Sequence, residues 1–82
     1  MNPSIQHLLA VSAVYAEATT LSRSSVSKRV FNDGKVLDNL ASGADMTIGR
    51  HATAMQWLSD NWPEGAVWPE GIARPAKNEA AA

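Results

Sequence analysis

The chain has 82 residues, 45% of them apolar, no cysteine, and a net charge of −1. That length suits one small domain whose core every element must help to close, and the lack of cysteine excludes a disulfide framework and a cysteine-ligated zinc site. No apolar run approaches the roughly 20 residues that span a bilayer, and a charge near zero argues against a general nucleic-acid coat.

Asn2-Pro3-Ser4 opens a first helix, with Asn2 or Ser4 as cap and Pro3 in the first turn, where its missing N–H costs nothing. The series Ile5, Leu8, Leu9, Val11, Val14, Tyr15, Ala18 has helical 3–4 spacing and predicts a helix to Ala18 or Thr19, whole or broken near Val11–Ser12. Basic residues are missing from this start, so no secretory leader is expected, and the protein is expected to be soluble, cytoplasmic and nucleoid-associated. A second helix is predicted from Ser22 to about Phe31. Ser22 is a good N-cap, and Leu21 and Val26 flank it as an apolar staple. Asn32-Asp33-Gly34 tolerates turn geometry and stops this helix. A third runs from Lys35 to Ala41 with Val36, Leu37 and Leu40 inward and Gly43 as its break. Asp45 or Thr47 caps a fourth, to Asn61, with Ile48, Ala52, Met55 and Leu58 facing the core; Pro63 ends it.

Beyond it, Trp62-Pro63-Glu64-Gly65 returns as Trp68-Pro69-Glu70-Gly71. Two copies do not make a solenoid. Large indole rings are seldom left in water without reason, so the segment either wraps back to close the core or presents Trp62 and Trp68 to a partner, most simply a second copy. Thus the expected layout is a helical domain over 1–62, an extension over 63–74, and a disordered tail over 75–82. The fold class is all-α, a small helix-turn-helix domain of four to five helices with an irregular Trp/Pro-rich C-terminal segment.

Charge is segregated. From Thr19 to Val36 stand Arg23, Lys28, Arg29 and Lys35 against Asp33 alone, whereas six of the eight acids lie beyond Val36. A basic end can therefore exist on a near-neutral molecule. Ala16-Glu17 followed by Leu21-Ser22-Arg23-Ser24-Ser25-Val26-Ser27-Lys28-Arg29-Val30 resembles the helix-turn-helix of lac-repressor-type and lambda-repressor-like regulators of phages and bacteria. The resemblance covers about a fifth of the chain. It implies double-stranded DNA as partner, with Arg23, Ser24 and Lys28 at base edges and Ser22, Ser25, Ser27, Arg29 and Lys35 at phosphates. It departs from the family pattern at two positions. Thr20 stands where the family has a turn glycine, and a β-branched residue resists positive φ, so a differently shaped or longer turn is expected. Arg29 stands where an apolar residue faces the core, so Val30 and Phe31 are expected to take over the packing.

For catalysis the sequence offers little. His7 and His51 are far apart, the serines lack a nearby base, and no set of three or four metal ligands recurs, so neither enzyme activity, cofactor nor metal is expected. Few cations neutralise few phosphates, which points to a homodimer or a partner-assisted binder. Two functions follow as expectations: a sequence-specific DNA-binding transcriptional regulator, or an adaptor that binds a protein, such as RNA polymerase or an antagonist, through its tryptophan-rich end.

Overall fold

A computed structural model describes residues 3–77. The protein is all-α, with helices α1 (Pro3–Thr19), α2 (Arg23–Phe31), α3 (Val36–Ala41) and α4 (Ile48–Asp60) and no strand among the described residues. No described helix is long and apolar enough to cross a membrane. The Asn2 cap falls outside the described residues. α1 runs unbroken through Val11–Ser12 and is the central element, packing on α2, α3 and α4. It brings Ile5, Leu8, Val11 and Tyr15 to a core completed by Val26 of α2, Val36, Leu37 and Leu40 of α3, and Ala54, Met55 and Leu58 of α4.

α4 is capped by Thr47, whose Oγ1 accepts the Arg50 N–H at 3.2 Å, and its inward face differs from the expected one. Ile48 is 90% exposed and Ala52 is also exposed, while Ala54, Met55, Leu58 and Ser59 are buried. The rotated face brings half-buried His51 and buried Ser59 to partners on other segments. His51 Nε2 lies 2.8 Å from Ser4 O, a pure acceptor, and so donates to the start of α1. Ser59 Oγ donates to Pro75 O and accepts from Arg74 Nε at 3.1 Å.

The turn between α1 and α2 corrects a second expectation. Thr20 itself adopts φ 56°, so the turn keeps the short shape that glycine usually provides. Leu21 N–H donates to Ala16 O at 2.9 Å and Thr20 Oγ1 to Thr19 O at 2.6 Å. Burial of Val26 and Tyr15 on either side of the turn outweighs the local cost of a non-glycine left-handed residue, of order 1–3 kcal/mol. Thr20→Gly should therefore stabilise the domain by about 1 kcal/mol net, the relieved strain less the extra entropy of an unfolded glycine. A thermal melt should show a rise of about 4–8 °C; an unchanged or lower midpoint would mean that the threonine bonds offset the strain.

The Trp-Pro repeat folds as two copies of one local device. In each, a tight turn (Ala66 N–H to Pro63 O, 3.2 Å; Ile72 N–H to Pro69 O, 3.4 Å) carries a glycine in its third position at positive φ (Gly65 87°, Gly71 83°), the requirement of a type II turn. The indole N–H of the preceding tryptophan donates to the far end of that turn, Trp62 to Ala66 O at 2.8 Å and Trp68 to Ile72 O at 2.9 Å. The rings pack tilted against each other (4.8 Å between centroids, 58° between planes) and, through Trp62, against Tyr15 (6.5 Å, 48°). Both are half-buried against the core, so the segment wraps back, the first of the two expected alternatives. The chain stays attached as far as Ala76, whose carbonyl accepts from Gln56 Nε2 at 2.8 Å. Pro75 and Ala76 thus belong to the folded body and not to the expected disordered tail; residues 78–82 of that tail lie outside the described residues.

Candidate nucleic-acid interface

α2 is assembled from local signals. Ser22, extended at φ −74° and ψ 163°, accepts the Ser25 N–H on its Oγ at 3.1 Å; Leu21 is half-buried and Val26 fully buried, as a staple requires. Asn32 closes the helix in the left-handed conformation (φ 60°), its N–H returning to Lys28 O at 2.9 Å.

Helical geometry, about 100° per residue, decides what this helix shows to solvent. Val26 and Ser27 point inward. The opposite side carries Ser24, Ser25, Lys28 and Arg29, all exposed and related by three- and four-residue steps. Together with Leu21 and Gly34 they line one shallow, open depression. No acid lies on this strip. Arg29 Nη1 reaches Tyr15 Oη at 3.3 Å, which explains how a cation occupies a position expected to be apolar: Val30 and Phe31 pack on the core in its place. Arg50 of α4 lies over the Phe31 ring, 5.4 Å from its centroid, adding a cation beside the C-terminal end of α2.

Four of the expected contact residues stand outside this strip. Ser27 is fully buried; its Oγ donates to Asp33 O at 2.6 Å and accepts the Leu37 N–H at 3.2 Å. It is a structural tie between α2 and α3 and cannot reach a phosphate. Arg23 is about 140° around the helix from Lys28 and makes an ion pair with Asp38 (Nη1–Oδ1 3.2 Å), both side chains more than half exposed. Ser22 is engaged with Ser25, as acceptor of its N–H and as donor to its Oγ at 3.1 Å. Lys35 is exposed at the start of α3, its N–H donated to Asp33 Oδ1 at 2.9 Å.

The place of Arg50 beside α2 and the hydroxyl role of Tyr15 were not legible in the sequence. A cation at position 29 signals a need for a polar partner, but only the packing of α1 on α2 shows that Tyr15 is that partner. Among the described residues no group of three or more His, Asp or Glu is placed to hold a metal ion. No family model, curated protein or solved structure matches the chain.

Proposed function

We propose that this protein is a sequence-specific DNA-binding transcriptional regulator that lays α2 in the major groove. The observation that carries this reading is the acid-free strip of Ser24, Ser25, Lys28 and Arg29 on the outer side of a helix that the Thr20-Leu21-Ser22 turn sets against α1. Short hydroxyls and long cations fit a groove bounded by phosphates, where Lys28 can read guanine N7 and O6 and the others fix the register. Arg23, about 140° around the helix from Lys28 and paired with Asp38, stands outside this strip.

A single copy neutralises few phosphates, and the reading therefore includes a homodimer on two half-sites one DNA turn apart. The adaptor alternative draws no support from Trp62 and Trp68, whose rings and N–H groups are engaged within the chain.

The test is selection of a preferred duplex from a random pool, followed by anisotropy titrations across salt. Lys28→Ala should weaken the preferred site about tenfold and relax its sequence. Arg29→Ala should weaken all duplexes alike and lower the salt slope by about 1. A pool that yields no preferred sequence, or binding indifferent to both changes, rejects the proposal.

A further inference from the structure

A groove opens where α1 meets the first turn of α2 and α3. Leu9, Ser12, Ala13 and Ala16 of α1 form one wall, Leu37 of α3 another, and Arg23 stands at the mouth; its volume is about 240 Å³. Alanines at 13 and 16 leave this space because no larger side chain fills it. An apolar cavity of about 150 Å³ already holds benzene, and pockets for drug-sized molecules start near 300 Å³, so the groove is the size of a small ligand.

Two polar features on otherwise aliphatic walls specify the chemistry. Ser12 is only 4% exposed, and its Oγ has no hydrogen-bond partner among the described residues. A buried hydroxyl without a partner is unfavourable, and a polar ligand atom that parts the groove wall to reach it would relieve it. Arg23 offers a cationic fork of which a single Nη1 contact to Asp38 is in use; such a fork matches a carboxylate in bidentate fashion.

We infer that this groove binds a small amphipathic carboxylate, its aliphatic chain between Leu9, Ala13, Ala16 and Leu37 and its carboxylate shared by the Ser12 hydroxyl and Arg23, in competition with Asp38. Hexanoate, hexan-1-ol and hexylamine are suitable probes, titrated into the full chain and followed by amide chemical shifts. Hexanoate should give saturable shifts at Ser12, Ala13, Ala16 and Arg23, with the alcohol weaker and the amine weakest. Arg23→Gln should weaken hexanoate about tenfold and leave hexan-1-ol unchanged. Asp38→Asn should tighten hexanoate several-fold by removing the competing carboxylate, and Ser12→Ala should weaken both the acid and the alcohol. Ala13→Leu, a helix-compatible change on an exposed position, should fill the groove and abolish the shifts. Should that variant lose its helical signal, the Arg23 and Asp38 variants decide alone.

Absence of saturable shifts, equal binding of all three probes, or indifference to Arg23→Gln would overturn the inference. So would shifts of the same residues on protein dilution without probe, which would assign the groove to a second copy. No DNA enters the measurement, so its result is separate from that of the DNA titrations.

Discussion

Ser27→Ala is expected to destabilise the domain by about 2–3 kcal/mol, a large share of the roughly 4–12 kcal/mol available to a chain of this size. One oxygen holds two backbone groups from opposite sides: it donates to Asp33 O and accepts the Leu37 N–H, at 2.6 and 3.2 Å, in a position with no solvent exposure. Removing it strands the buried Leu37 amide, at about 1–3 kcal/mol, and takes the donor from the part-buried Asp33 carbonyl. Part of that loss is offset by relaxation of the Asn32–Lys35 turn. Urea unfolding should show the loss, and a melt should shift down by about 10–20 °C. Ser27→Cys, similar in shape but weak as donor and acceptor, should fall between the two. Ser25→Ala, exposed on the opposite side of the same helix, should change stability by less than about 0.5 kcal/mol. A Ser27→Ala loss as small as that of Ser25→Ala would show that the tie between α2 and α3 does not hold the helices. On the DNA-binding reading, Ser27→Ala protein kept cold enough to remain folded should bind a preferred duplex as the parent does.

The residues that were readable from sequence are those whose role is settled within one turn of chain. Ser22 caps, Leu21 and Val26 staple, Asn32 stops, and Pro63 follows the end of α4; each depends on near neighbours alone, and each is found where the pattern places it. The misplaced residues depend on distant partners. Ile48 and Ala52 fit an apolar period, but α4 turns inward the face carrying His51 and Ser59, where Ser4 O and the segment ending at Pro75 supply acceptors that no local window contains. Thr20 breaks a local rule for the same reason: the packing of Tyr15 and Val26 across the turn fixes the backbone, and the side chain accepts the strain. Within the candidate interface, composition indicated which side chains suit a groove, but helical phase sorts them. Ser24, Ser25, Lys28 and Arg29 share one strip, Ser27 turns inward, and Arg23 turns toward Asp38.

Trp62→Ala should produce the other large effect, a loss of about 2–3 kcal/mol, and the manner of the loss separates a core-closing role from a surface role. A fully buried tryptophan truncated to alanine costs about 3–5 kcal/mol; Trp62 is half-buried, which lowers the figure. Its ring stands between Tyr15 and Trp68, and its N–H closes the first turn on Ala66 O. Without it, Trp68 loses its neighbour, and the Trp-Pro segment is left as a strap held at its far end, by Arg74 on Ser59 and over the Trp68 ring, by Ser59 on Pro75 O and by Gln56 on Ala76 O. The amides of Ala66 and Ile72, which donate to Pro63 O and Pro69 O, should then exchange much faster than the α1 amides around Leu8 and Val11, and the tryptophan emission should shift to the red as indole meets water. Trp62→Phe, which keeps a ring and drops the N–H, should lose only about 1 kcal/mol beyond the difference in ring size and leave the strap attached. If Trp62→Ala instead leaves stability and strap exchange unchanged while dissociating an oligomer, the ring belongs to a contact between molecules, and the two repeated turns are an arm built to present it.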